Sequence, residues 1–301
     1  MNVSGGISMS VIEIDGLTKD YGNQKGLFDV SFTIEKGEIL GFLGPNGSGK
    51  TTLIRHLMGF IKPDQGSVSI MNLDCFAQSP KIQEMVGYLP GEIAFMDEMR
   101  GIDFIKFIAE MKKIKDLSRA KELIDFLELD PTNKIKRMSK GMKQKIGLVI
   151  AFMQDCPILI LDEPTSGLDP LMQNKFVELI KRAKAEGKTV LMSSHIFEEI
   201  ENTCDRVVMI KDGKIVASKE MALLKKDRHK CYEISFNNLE DAISFNQLFP
   251  NGKLKDKTVT LIMQGQINDI LKSLTQYSID DISIRAQSLE ELFLHYYGGG
   301  N

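Results

Sequence analysis

Gly44-Pro45-Asn46-Gly47-Ser48-Gly49-Lys50-Thr51 is the stretch around which the rest of the chain is organised. Before it, Glu38-Ile39-Leu40-Gly41-Phe42-Leu43 reads as a short buried strand. After it, Thr52-Leu53-Ile54-Arg55-His56-Leu57-Met58 carries apolar residues at helical spacing. Strand, loop and helix in that order, with the spacing G-x-x-x-x-G-K-[ST], predict a phosphate-binding loop. Glycines let backbone N–H groups converge on one anion, and the following helix points its positive end at the same place. Lys50 then reaches the outer phosphates of a nucleotide, and the Thr51 hydroxyl reaches a magnesium ion. Gly44, Pro45, Asn46, Gly47, Ser48, Gly49, Lys50, Thr51 and Thr52 are therefore the candidate nucleotide-binding residues. An ordinary glycine-rich turn would lack the strand and helix on either side.

The chain has 301 residues, a length that suits about two domains, and its 43% hydrophobic and 26% charged content is that of an ordinary globular protein. No apolar run approaches the roughly 18 residues of a membrane span; the longest is Ile146–Met153. Residues 1–10 read as a flexible tail without the basic and apolar regions of a secretion signal. A formal net charge of −3 argues against a nucleic-acid partner held by bulk electrostatics. The basic runs Lys134–Arg137 and Lys140–Lys145 read first as solvated faces. Cys75, Cys156, Cys204 and Cys231 are scattered, a pattern that suits a reducing cytosol and no metal site.

Along the chain, Val11–Ile14 and Phe28–Ile34 alternate with period two and predict antiparallel strands joined by Lys19–Gly22. Residues 97–150 predict a helical insertion, with Phe104, Ile108 and Met111 on one face and a long helix opening at Ser139. Pro157–Leu161 and Thr189–Met192 are apolar runs of strand length, as for parallel strands covered on both faces. Phe176–Ala185 predicts an amphipathic helix. The expected fold is α/β: a P-loop NTPase core with an antiparallel β subdomain and the helical insertion, spanning 11–224, followed by a small C-terminal α/β domain over 225–301. That last domain shows no glycine-rich loop or ligand cluster. It closes on Ser288-Leu289-Glu290-Glu291, a capping box opening a helix to Tyr297.

The Pro157–Leu161 strand ends in Asp162-Glu163-Pro164, at the sheet edge where parallel α/β proteins bind ligands. Asp162 is a candidate Mg²⁺ ligand beside Thr51, and Glu163 a candidate base for an attacking water. A surface turn before proline is the plainer alternative, which the apolar strand feeding it disfavours. His195 follows a further apolar strand and is placed to reach the terminal phosphate, so the candidate catalytic set is Lys50, Glu163 and His195. Tyr21, alone a packing residue, becomes in this context a platform for a flat base.

With these motifs in order, the chain resembles the nucleotide-binding subunit of an ATP-binding-cassette (ABC) transporter over about residues 11–220. The resemblance rests on the aromatic loop at Tyr21, the Walker A loop 44–51, a signature-like Ser139-Lys140-Gly141-Met142-Lys143, Walker B 158–163, the loop Ser166-Gly167-Leu168-Asp169-Pro170 and the switch His195. The tail Leu292–Tyr297 is similar to those of two-subunit drug or antibiotic exporters. The resemblance implies ATP and Mg²⁺ as cofactors and a head-to-tail homodimer or pseudo-dimer in which the signature residues Ser139, Lys140 and Gly141 act on the nucleotide of the opposing copy, with Asp169 a further nucleotide-binding candidate. It also implies a transmembrane permease on a separate chain, location at the cytoplasmic face of the membrane, and export of drug-like, peptide or lipid compounds. A soluble ATP-driven machine would be expected to carry two cassettes or a coiled-coil insertion. A non-hydrolysing switch would not need Lys50, Glu163 and His195 together.

Two positions depart from the family pattern. Gly91 stands where glutamine is usual, so either Glu92 takes over as a metal ligand or the linkage to the membrane partner is relaxed. Lys140 puts a cation into the signature, and like other exposed charges it is screened by salt. ATP-driven dimerisation is therefore expected to weaken as ionic strength rises; equal dimerisation at low and high salt, measured by light scattering, would refute this role for Lys140.

Overall fold

The computed structural model describes residues 10–226, 229–263, 267–288 and 290–292, in two units that divide between Met221 and Ala222. The first unit opens with β1 (Ser10–Asp20) and β2 (Gly26–Glu35), antiparallel with Ile12 opposite Ile34 and Leu17 opposite Val30. Next come β3 (Ile39–Leu43), buried at every residue, and α1 (Lys50–Leu57). The strands β4 (Gln65–Ile70) and β5 (Leu73–Asp74) complete a four-stranded sheet in the order β2-β1-β4-β5. After α2 (Ser79–Met85) and β6 (Val86–Leu89), the helical segment holds α3 (Gly101–Met111), α4 (Ser118–Phe126), a 3₁₀ turn at Ile135–Arg137 and α5 (Lys140–Met153).

The unit continues with β7 (Ile158–Asp162), α6 (Pro170–Ala185), β8 (Thr189–Ser194), α7 (Phe197–Thr203) and the hairpin β9 (Arg206–Lys211) and β10 (Lys214–Glu220); the division between the units falls after the first residue of α8 (Met221–Lys226). The second sheet has the order β10-β9-β3-β8-β7-β6. Its strands from β9 to β6 are parallel, and β10 is antiparallel at the edge. Because β8 lies between β3 and β7, the register sets Leu43 beside Ser194 and Ser193 beside Asp162. The loops after these strands therefore emerge side by side. Leu40, Phe42, Ile54, Ile160 and Val208, all at 0% exposure, belong to one apolar core that also takes in Ile12 and Val30 of the antiparallel sheet.

Two helices differ from the periodic reading. The buried face of α3 is Phe104, Ile105 and Ala109, while Met111 is 66% exposed. Phe104, common to both stripes, packs on Phe95 at 5.3 Å, and the burial of Ile105 and Ala109 puts the neighbouring stripe inward. Helix α6 starts at Pro170, six residues before the apolar pattern becomes regular. Asp169 caps it by accepting the Met172 N–H at 3.0 Å, and proline at the first position has no N–H to leave unpaired.

In the second unit, β11 (Lys230–Phe236), α9 (Leu239–Leu248), β12 (Lys253–Lys255), β13 (Thr258–Met263), α10 (Ile267–Leu274) and β14 (Ile279–Ala286) form an antiparallel sheet in the order β12-β13-β11-β14. This is the βαββαβ arrangement of ferredoxin-like folds. Its core is Tyr232, Ile234, Phe236, Phe245, Val259, Leu261, Ile270 and Leu274. The capping box at Ser288 is present. The Ser288 N–H donates to Glu291 Oε2 at 2.8 Å, and the Glu291 N–H donates to Ser288 Oγ at 3.1 Å. The tail flagged by the exporter resemblance lies, from 293 onward, outside the described residues, as does the N-terminal stretch 1–9.

Arg285 donates to both Glu233 (2.8 Å) and Glu291 (2.6 Å). The Arg285 hydrogen bond holds the Glu291 carboxyl down at about 2, from an ordinary 4.5. A carboxylate with a depressed folded-state pKa stabilises fully above its unfolded value and loses that contribution as pH falls toward the folded one. Unfolding of this unit is thus expected to become easier between pH 4.5 and about 2. Glu291→Gln should flatten that dependence in urea unfolding followed across the window; an unchanged slope would rule the pair out.

Candidate active site

The loop after β3 is shaped by glycine where no other residue fits. Gly49 has φ 111°, and a Cβ there would lie 2.6 Å from Leu27 Cδ2. Lys50 follows at the start of α1, 5% exposed, and its Nζ donates to the carbonyls of Gly44 (2.7 Å) and Pro45 (3.2 Å). The buried Ser48 hydroxyl has no partner among the described residues, as suits a loop built around a polar ligand.

The end of β7 meets this loop. Asp162 is fully buried, and each of its oxygens accepts one hydroxyl: Oδ2 from Thr51 at 2.8 Å and Oδ1 from Ser193 at 2.5 Å. Ser193 Oγ in turn accepts the Glu163 N–H at 3.0 Å. Glu163 sits at φ 50°, a left-handed conformation that costs a non-glycine residue about 1–3 kcal/mol. Its side chain is held at both ends, Oε1 by Lys50 Nζ at 3.1 Å and Oε2 by His195 Nδ1 at 2.6 Å. The structure thus brings Lys50, Thr51, Asp162, Glu163 and His195 to one point. Beside them is a cavity of ≈ 400 Å³ lined by Tyr21, Asn46, Gly47, Lys50, Thr52 and Glu163 among others, with the Tyr21 ring half exposed at its rim. Thr51 and Asp162 offer only oxygen atoms, the donor set that suits Mg²⁺.

Other expected site residues lie elsewhere. Ser139 caps α5 by accepting the Met142 N–H at 3.2 Å. Gly141 packs on the Gly167 carbonyl, where a Cβ would come within 2.7 Å, and the Lys140 stem lies over the Gly167 Cα. Asp169 acts as the cap of α6. Among the described residues no hydrogen bond or ion pair joins Ser139, Lys140, Gly141 or Asp169 to the Lys50–Asp162 cluster. Gly91 lies against Asp162, since a Cβ there would be 3.1 Å from Oδ2. Glu92 is exposed and lines a different groove with Lys140 and Lys143.

Sequence reasoning missed two supports of the site. Ser193 ties Asp162 to the Glu163 backbone. Gln144, 5% exposed on the otherwise apolar inner face of α5, donates to the carbonyls of Pro164 (2.8 Å) and Glu163 (3.3 Å). A lone amide inside an apolar stripe is the signal that could have marked it, because buried polar groups need partners.

A phosphate loop meeting strand-end carboxylates at the carboxyl edge of a parallel sheet is the architecture of P-loop nucleotide hydrolases. The added antiparallel sheet and helical segment are those of an ATP-binding cassette. A family model described as ABC transporter matches residues 27–166. The chain is 35% identical over 294 residues to an uncharacterized ABC transporter ATP-binding protein, YdbJ, of Bacillus subtilis (strain 168), covering 94% of each chain. It is 31% identical over 305 residues to the bacitracin transport ATP-binding protein BcrA of Bacillus licheniformis, covering 97% of this chain and 98% of that one. Among solved structures it is similar to an ATP binding subunit of an ABC transporter, with TM-score 0.65 and 29% identity over 72% of this chain and 92% of the other. The chain belongs to the ABC transporter ATP-binding proteins, and its activity is ATP binding and hydrolysis coupled to transport.

Ser193→Ala would leave the Asp162 Oδ1 and the Glu163 N–H without partners in a buried setting. A loss of about 1–3 kcal/mol in urea unfolding is expected, together with slower ATP turnover; unchanged stability and rate would show that Ser193 supports nothing.

Proposed function

We propose that this chain hydrolyses ATP as one half of a homodimer and so drives a separate transmembrane permease that exports antibiotic-like or other drug-like compounds. The observation that carries the hydrolytic reading is Glu163 held between Lys50 and His195. In it, Gly44 to Thr52 cradle the phosphates, Lys50 contacts the outer ones and Tyr21 stacks on the adenine. Glu163 takes the proton of a water attacking the γ-phosphorus, the bond to the β-phosphate oxygen breaks, and ADP leaves. His195 holds the terminal phosphate through a ring N–H. Thr51 and Asp162 would hold Mg²⁺, which neutralises charge on the β- and γ-phosphates.

Ser139, Lys140, Gly141 and Asp169 act on the nucleotide of the opposing copy, a role that fits their position apart from Lys50. The names of two relatives support the cargo class: BcrA, a bacitracin transport protein, and LnrL, a linearmycin resistance protein 32% identical over 69% of this chain. Among the described residues no helix is long and apolar enough to cross a membrane; membership of the ABC transporter ATP-binding proteins is what supports a permease on another chain and a peripheral place at the cytoplasmic face. Met96 and Met111, 48% and 66% exposed, suit a socket for a cytoplasmic helix of that permease, whereas Met85 packs against the core. The second unit is an accessory domain.

Glu163→Gln is expected to cut ATP turnover by about 10²–10⁴-fold, and detergent-solubilised membranes should yield the chain together with a polytopic partner. Undiminished turnover would remove Glu163 from the chemistry, and a chain recovered without any membrane protein would remove the permease.

A further inference from the structure

We infer that Glu199 is a positioning residue of the hydrolytic site, its buried carboxylate tying the turn that carries His195 to helix α7. The inference rests on the reading of Glu163 and His195 as the hydrolytic pair.

Glu199 lies in α7 and is 8% exposed. Ser194 Oγ donates to its Oε2 at 2.5 Å. The same Oγ accepts the Ile196 N–H at 2.9 Å. The backbone on both sides of His195 is thereby tied to one carboxylate. The Glu199 backbone is fixed as well, since Thr203 Oγ1 donates to its carbonyl at 2.7 Å. Oε1 has no partner among the described residues. A cavity of ≈ 370 Å³ adjoins the group, lined by Thr165, Gln173, Asn174, Ile196 and Glu199 among others.

The two serines that end β8 thus divide the work. Ser193 ties the metal-site carboxylate to the Glu163 backbone, and Ser194 ties the His195 turn to Glu199. A buried carboxylate is retained only where its hydrogen bonds hold something in place, and here what they hold is the short span that sets the 2.6 Å contact between His195 and Glu163.

Burial pushes Glu199 up to about 7 and the charge of Glu163 pushes the same way, while the Ser194 and Thr165 hydroxyls pull back. The titratable groups acting on it are Glu163 from the β7 turn and Cys204 beyond α7. Burial pushes the Cys204 thiol up to about 12, with Glu199 contributing. Helix α6 presents the amides Gln173 and Asn174 to the cavity, and α7 itself carries Glu198 and Glu201. An ionised Glu199 accepts the Ser194 hydroxyl by a charge-assisted bond; a protonated one holds the turn more loosely. Turnover should therefore fall as pH drops through the neutral range.

The test is steady-state ATP hydrolysis by the full chain with Glu199→Ala, Glu199→Gln and, as reference, Glu163→Gln. For Glu199→Ala, kcat is expected to fall about ten- to a hundredfold with the ATP KM within about twofold of wild type. Glu199→Gln, a neutral isostere of the protonated acid that keeps the shape and one acceptor, should turn over above neutrality at a rate between those of Glu199→Ala and the wild type. It should also lose the part of the decline between about pH 8 and about pH 6 that belongs to a titrating carboxyl. A Glu199→Ala enzyme with wild-type kcat, or a Glu199→Gln enzyme with the wild-type pH profile, overturns the inference. If the alanine variant does not fold, the profile of the glutamine variant decides alone. Wild-type turnover in Glu163→Gln would instead overturn the hydrolytic reading; an inactive Glu163→Gln beside unaffected Glu199 variants would overturn only the role of Glu199.

Discussion

One fully buried carboxylate, Asp162, accepts a hydroxyl from Thr51 on one oxygen and from Ser193 on the other. Everything at the active edge depends on that pair of bonds. Moving an ionised carboxylate into apolar surroundings costs on the order of tens of kcal/mol by simple solvation reasoning, so this group persists only because both oxygens are satisfied. In being satisfied it fastens the start of α1, the end of β7 and the end of β8 to one another. These segments are 111 and 31 residues apart in the chain.

On that fastening rests a line of alternating character, Lys50, Glu163 and His195. Glu163 is kept in a left-handed backbone conformation that it would not choose alone. The cost is met by the Ser193 bond to its N–H, by the Gln144 bond to its carbonyl and by partners at both side-chain oxygens. Strain of this kind survives only where the surroundings over-determine it. A base so fixed has little freedom to lose when it acts, which is the condition for efficient proton transfer to a positioned group.

The second unit is organised by different physics. Its βαββαβ sheet buries an aromatic-rich core, with the Phe245 ring tilted against Phe236 at 5.2 Å and Phe249 at 5.0 Å, and carries a half-buried Arg285–Glu233–Glu291 network. Nothing comparable to the buried Asp162 arrangement occurs among its described residues.

What could be read directly from the chain was local. The phosphate loop is a contiguous string whose spacing is its geometry, and the apolar runs at 39–43, 158–161 and 189–192 could only be buried strands. The residues that follow those strands, Lys50, Asp162, Glu163 and His195, were legible for the same reason. The start of α6 and the inward face of α3 were not, because a cap by Asp169 sets the one ahead of its apolar pattern and the burial of Ile105 and Ala109 sets the other. Strand order lies further still from the sequence. That β8 falls between β3 and β7 is set by packing over the whole sheet, and only this order makes Ser193 the neighbour of Asp162 and Ser194 the neighbour of Leu43. Local pattern determined which residues end strands. Tertiary structure alone decided which strand ends touch, since a hydrogen bond between distant segments leaves no mark on the periodicity of either.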